Sequence, residues 1–210
     1  MVAAVRVKIC GITRLEDALL AARLGADALG FNFWPGSKRY VDPDVARAII
    51  DELPPFVAAV GLFVNQPPTH VLATAARSGI GAVQLHGDEP YQDCNGYPFP
   101  AIKALRVAGP ESLSGMDRYR VRAFVLDAPC AGFGGSGGTF DWALAREAAA
   151  RATVILAGGL TPENVADAIR TVRPWAVDVA SGAESAPGVK DPDKLRRFIE
   201  NAKKEIPWPR

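Results

Sequence analysis

Apolar residues in this chain fall into short runs of two kinds. Val5, Val7 and Ile9 alternate with Arg6, Lys8 and Cys10, the period of two of a β-strand with two faces. Gly11 breaks the run, and Leu15, Ala18, Leu19, Ala22 and Leu24 then recur at helical spacing up to Gly25, with Thr13 placed as N-cap. The same alternation repeats down the chain. Further strands are predicted at 26–34, 56–64, 81–87, 99–107, 121–127, 153–159 and 175–182. Between them, helices are expected over 42–53, opened by Pro43 with Asp42 as N-cap, after Asn65-Gln66-Pro67-Pro68 to about residue 78, and over 89–97, 110–119 and 140–152. Two more follow, over 161–173 with Thr161 as N-cap and over 191–205.

Eight strand-then-helix units in close alternation imply parallel strands joined by crossover helices. In 210 residues with no linker or shift of composition, that predicts one α/β domain over 1–210, a closed (β/α)8 barrel of the TIM type. An open doubly wound sheet is the alternative, but no G-x-G-x-x-G follows the first strand. Composition narrows the partners. The chain is 49% hydrophobic and 22% charged with a formal net charge of +1, so nothing advertises nucleic acid or an anionic membrane. No apolar run reaches the length of a spanning helix, and the N-terminus reads as a strand rather than a signal peptide. Cysteines 10, 94 and 130 form no C-x-x-C, which points to a reduced, cytoplasmic compartment.

Several candidate residues fall at predicted strand ends, the rim where barrels do chemistry. Cys10 ends the first strand and is open to three readings: nucleophile, base or small buried apolar group. Arg39, with Ser37 and Lys38, follows the second; it is either a bidentate partner for a carboxylate or a solvated loop arginine. Asp127 ends the sixth strand, as a loop cap or as one half of an acid/base pair with Cys10. Gly158-Gly159 and Ser181-Gly182 follow strands seven and eight, where backbone N–H groups can cradle a phosphate; the other reading is plain tight turns. His86 is either a substrate contact or a hydrogen-bonded structural histidine, and His70 reads as surface. Two distant histidines and no Cys/His cluster argue against a metal site. Cys94 and Cys130 read as bystanders, and the glycine-rich stretch 128–142 as a lid beside Asp127.

Taken together, KICGIT (8–13), ALGFNFWPGSKRYV (28–41), VGLFVN (60–65), VQLHG (83–87), LDA with GGSGGTFDW (126–142), LAGGLTPENV (156–165) and DVASGAESAPGVKD (178–191) resemble the phosphoribosylanthranilate isomerases of tryptophan biosynthesis. The matching stretches run in order from the first strand to the last helix. Ala180 and the inserted-looking Ser185-Ala186 are small departures that touch no residue with an assigned role. The resemblance implies a (β/α)8 barrel with no cofactor and no metal, a phosphorylated small-molecule substrate, and a monomer or homodimer. It implies an Amadori rearrangement of N-(5-phosphoribosyl)anthranilate with Cys10 as general base and Asp127 as general acid. Arg39 then matches the residue holding the anthranilate carboxylate, Gly158, Gly159, Ser181 and Gly182 the phosphate turns, and His86 and Asp178 further substrate contacts.

A thiol of ordinary pKa, about 8.5, is scarcely ionised at neutrality, so the site is expected to depress it through Lys8 or helix dipoles. Two rival functions stay in view. One is the histidine-pathway isomerase of the same barrel type, which relies on carboxylates where this chain has Cys10. The other is a catalytically silent barrel that senses phosphorylated sugars.

Overall fold

The structure, a computed structural model, describes residues 5–128 and 141–204. Eight parallel strands close into a barrel: β1 (Arg6–Cys10), β2 (Ala28–Asn32), β3 (Ala58–Phe63), β4 (Ala82–Leu85), β5 (Ala101–Arg106), β6 (Ala123–Asp127), β7 (Val154–Leu156) and β8 (Ala176–Val179). Closure runs through the pairing of β1 with β8, in which Lys8 stands opposite Asp178. Six α-helices cover the outside: α1 (Leu15–Arg23), α2 (Pro43–Asp51), α3 (Pro68–Ser78), α4 (Trp142–Ala149), α5 (Val165–Val172) and α6 (Pro192–Lys204).

Alternation along the strands divides two apolar cores. Val7, Ile9, Leu29, Phe31, Phe63, Leu126 and Leu156 face outward and pack under the helices against Ala18, Ile49, Val71, Ala148, Ile169 and Phe198. The intervening positions fill the barrel: Val60, Ile102, Ala104, Ala123, Val125, Ile155, Ala157 and Ala176. So, of the polar-looking positions of β1, only Arg6 meets solvent, and Lys8 and Cys10 are buried. Lys8 is only 3% exposed and its ammonium meets Asp178 across the β1–β8 pair.

Several sequence expectations are corrected. The stretch 89–97 forms turns, not a helix, because Pro90 and Gly96 (φ +83°) interrupt a segment with no helical stripe. Gly115 (φ +77°) splits 110–119 into two short 3-10 turns, Pro110–Leu113 and Met116–Arg118. The units after β4 and β5 thus lack an α-helix. Asp42 does cap α2, its Oδ1 accepting from Asp44 N at 2.8 Å. Thr13 does not cap α1; its hydroxyl donates to Gly188 O at 2.6 Å instead. Gly188 lies in a hairpin, β9 (Glu184–Ala186) with β10 (Val189–Lys190), that also donates Lys190 N–H to Asp17 on α1. Thr161 Oγ1 does accept from Glu163 N at 3.2 Å, capping the turn that leads into α5, while Asn164, directly before the helix, ties Thr161 N to Gly159 O through its side chain.

Candidate active site at the carboxyl ends of the strands

At the β1–β8 seam, five charged side chains gather around Cys10. Lys8 Nζ donates to Asp178 Oδ2 at 2.8 Å, both groups buried. A Cβ on Gly30 of β2 would stand 3.0 Å from Cys10 Sγ and 3.2 Å from Lys8 Nζ, so a larger residue there would press on both. Gly11 (φ +76°) plays the same part on the other side, since its Cβ would lie 2.5 Å from Arg39 Cδ. Arg39 does not reach freely into the site. Its Nε (2.9 and 3.1 Å) and Nη2 (2.7 Å) grip the Glu184 carboxylate, which also accepts from Lys190 Nζ at 2.9 Å. Lys190 in turn donates to the carbonyl of Cys10 at 2.5 Å.

These contacts set the charges. Burial pushes the Cys10 thiol above its ordinary value; Lys8 and Lys190 pull it back, while Asp178 pushes the same way as burial. The expectation of a depressed thiol is therefore corrected. Lys8 spends much of its field on Asp178, and the thiol is shut away from water. Burial works against the Glu184 carboxylate too, but Arg39 and Lys190 outweigh it and hold Glu184 below its usual range. Lys190 is lowered by its own burial, with Glu184 opposing.

Across the barrel, Asp127 ends β6 with Oδ1 accepting from Ala128 N at 2.9 Å and Oδ2 3.3 Å from His86 Nε2. His86 Nδ1 lies 2.9 Å from Gln84 Nε2. The turn carrying His86 is pinned from outside the barrel. Lys103 Nζ, on β5, reaches Gly87 O at 2.7 Å and Glu89 Oε2 at 2.8 Å, and Glu89 Oε1 accepts from Asn65 N and Gly87 N. Gly158 (φ +78°) crowds this side: its Cβ would fall 2.3 Å from Ala128 N and 2.9 Å from Asp127 Oδ1. Gly159 (φ +63°) follows it. Gly182 packs against the same loop, its Cβ position 1.9 Å from Leu160 O, so the turns after β7 and β8 meet. Ser181 opens the 3-10 turn there.

Every proposed site residue thus sits at the carboxyl end of a strand or in the loop after one. Three features escaped the sequence reading. Glu184 and Lys190 flank the segment in which Ser185 and Ala186 were read as an incidental departure; that segment is the β9–β10 hairpin, and its ends hold Arg39 and the backbone of Cys10. A charged pair either side of a Pro-Gly turn was the available signal. Gln84 looked like strand filler, and Lys103 with Glu89 carried no motif. Cys94 is buried, its thiol pushed up to about 11 by burial, and His70 is exposed. Most of the predicted lid, residues 129–140 with Cys130, lies outside the described residues. Among the described residues no three His, Cys, Asp or Glu side chains cluster as metal ligands, and no helix is long and apolar enough to cross a membrane.

Comparison with known proteins meets the same site. Residues 7–201 match the family model described as N-(5'phosphoribosyl)anthranilate (PRA) isomerase. The N-(5'-phosphoribosyl)anthranilate isomerase of Geobacter sulfurreducens is 55% identical over 201 residues, covering 95% of this chain and 98% of that protein. The crystal structure of phosphoribosyl anthranilate isomerase from Thermotoga maritima superposes with a TM-score of 0.90 at 50% identity, over 95% of this chain and 98% of that one. A further crystal structure of the isomerase, in complex with reduced 1-(o-carboxyphenylamino)-1-deoxyribulose 5-phosphate, gives 0.86 at 48% identity over 95% and 98% of the two chains. Barrel, rim and relatives agree: the chain belongs to the N-(5'-phosphoribosyl)anthranilate isomerase family.

Proposed function

We propose that this chain carries out its family's isomerisation by general acid–base catalysis, with Asp127 as acid and Cys10 as base, the whole of residues 1–210 serving as one catalytic domain. What supports the reading most is that Cys10 and Asp127 are both buried at strand ends, on β1 and β6, each in contact with a group that can shape its proton: Lys8 for the thiol, His86 for the carboxyl. Asp127 gives its proton to the ribose ring oxygen as the C1–O bond breaks and the anilino nitrogen forms an iminium ion. The Cys10 thiolate then takes the proton from C2, and the electron pair flows to nitrogen to give an enolamine. That species loses its enol proton and gains one at C1, leaving the ketone 1-(2-carboxyphenylamino)-1-deoxyribulose 5-phosphate.

The remaining residues hold the substrate. Arg39, fixed by Glu184, presents the rest of its guanidinium to the anthranilate carboxylate. The turns at Gly158-Gly159 and Ser181-Gly182 take the phosphate on backbone donors. Asp178 Oδ1, buried without a hydrogen-bond partner, is placed to accept from a substrate hydroxyl. No cofactor enters this scheme, and the unpaired Cys10 and Cys94 suit the reducing cytoplasm. A homodimer is also part of the proposal. The Thermotoga maritima isomerase is described as dimeric, and Phe56 here, 95% exposed between α2 and β3, is the apolar side chain such an interface would cover.

The test is coupled turnover of N-(5-phosphoribosyl)anthranilate by purified protein, run beside the histidine-pathway substrate. Wild-type turnover of the first is expected, with Cys10→Ser and Asp127→Asn each reducing it about 10²–10⁴-fold while remaining folded. Cys10→Ser with near-normal turnover would remove the thiolate from the mechanism. Binding of phosphate esters without turnover would favour the sensor reading.

A further inference from the structure

Gln84 is fully buried on β4, two residues before His86 and on the same face of the chain. Its Nε2 lies 2.9 Å from His86 Nδ1, yet its Oε1 has no hydrogen-bond partner. A buried carboxamide oxygen left bare is costly, and Leu or Met at this position would avoid that cost. We propose that Gln84 is a positioning residue that holds His86 as its Nε2–H tautomer, so that the imidazole donates to Asp127 Oδ2 and orients the carboxyl group for proton transfer.

The argument follows the hydrogens. A neutral imidazole has one donor nitrogen and one acceptor. The Gln84 N–H aimed at Nδ1 makes that atom the acceptor, which leaves the ring hydrogen on Nε2. Nε2 faces Asp127 Oδ2 at 3.3 Å, and the Ala128 N–H holds Oδ1 at 2.9 Å. The carboxyl group is thereby fixed by one N–H on each oxygen. With the amide turned over, Oε1 would demand Nδ1–H, and a bare Nε2 would accept the Asp127 carboxyl proton and compete with the ribose ring oxygen for it. The charged groups nearby are engaged elsewhere: Arg106 on β5 closes on Asp88, Lys103 on Glu89, and Lys8 on Asp178. Cys10, at the end of β1, and the Arg39–Glu184–Lys190 cluster lie across the barrel from His86. None of these contacts takes His86 Nδ1 from Gln84.

This proposal rests on Asp127 being the acid, and the experiment separates the two. The chain has two histidines, of which His70 is exposed, so ¹⁵N NMR of histidine-labelled free enzyme reads His86 directly. The wild type is expected to show a protonated Nε2 and a bare Nδ1. Gln84→Met, close in size, should mix the tautomers and lower kcat roughly tenfold or more with KM within about threefold. A loss through general loosening would instead move KM and leave the tautomer alone. A wild-type Nδ1–H signal overturns the proposal, as does a Gln84→Met enzyme with wild-type kcat. Should that variant fail to fold, the wild-type spectrum still decides. Retained turnover in Asp127→Asn would remove the acid assignment, and the tautomer measurement would stand apart from it.

Discussion

The two halves of the rim position their reactive groups by different physics. Around Cys10, five charged side chains converge from opposite ends of the sequence: Lys8 and Arg39 from the first units, Asp178, Glu184 and Lys190 from the last. Around Asp127 the contacts within the barrel are a hydrogen-bonded run, Gln84 to His86 to the carboxylate, with one ion pair, Lys103–Glu89, set behind the turn. The thiol proposed as base is governed by charge balance, where burial and Asp178 oppose two lysines. The carboxyl group proposed as acid is governed by hydrogen-bond direction. Charge balance acts over several ångströms and tolerates small shifts; a directed hydrogen bond fails once the angle is lost.

The sharpest way to break the first half is Glu184→Gln. It leaves Lys190, fully buried, and Arg39, half-buried, without their counter-ion, a change expected to cost about 3–5 kcal/mol of stability, read as a fall in Tm and in the denaturant midpoint. On the other half, Lys103→Met should cost a similar amount by stranding Glu89, with kcat falling because the His86 turn loosens. A Glu184→Gln protein as stable as wild type would show that the cluster is solvated.

Arg39→Ala comes next. It should weaken substrate binding by about 2–5 kcal/mol, seen as a raised KM. Some destabilisation should accompany it, because Glu184 keeps only Lys190 as counter-ion, with the Gly188 N–H beside it. Unchanged KM would assign the anthranilate carboxylate to another residue.

Gly158→Ala probes the acid half. A side chain at φ +78°, pressed on Ala128 N and Asp127 Oδ1, should destabilise by roughly 1–3 kcal/mol and lower kcat, since phosphate turn and acid are disturbed together. Phosphate inhibition lost with kcat intact would uncouple the two.

The smallest effect is in acid. Glu184 sits below its ordinary value of 4.5 in the folded chain, so it binds fewer protons there than when unfolded. Its contribution is present above about pH 4.5 and is lost as pH falls through the lowered folded value. One such proton gives at most about 1.4 kcal/mol per pH unit, and that part of the acid slope should vanish in Glu184→Gln. An unaltered slope would place the acid sensitivity on other carboxylates.

Activity should respond to pH in the same sense but in a higher range. The Cys10 thiol is raised, so its ionised fraction is small at neutrality and turnover should climb with pH on the alkaline side. A plateau already reached below pH 7 would mean that substrate binding reverses the effect of burial.

The sequence by itself determined the barrel and the rim. Alternating runs with glycine or proline stops placed all eight strands, and a residue at a strand's carboxyl end projects at the rim whatever its neighbours are; the positions of Cys10, Asp127, Asp178 and the turns at Gly158-Gly159 and Ser181-Gly182 follow from that. The pattern overreached after β4, where Pro90 and Gly96 leave no helix, and at Thr13, whose hydroxyl finds Gly188 far along the chain. Which charge meets which was decided only by the closed barrel. Lys8 and Asp178 are 170 positions apart and Arg39 and Glu184 145, so no local period links them. Closure of β1 on β8 brings these groups out of water together, and burial then sets the Cys10 thiol above its ordinary value. Strand order and residue type are local properties of a chain, while desolvation and counter-charge belong to its packing.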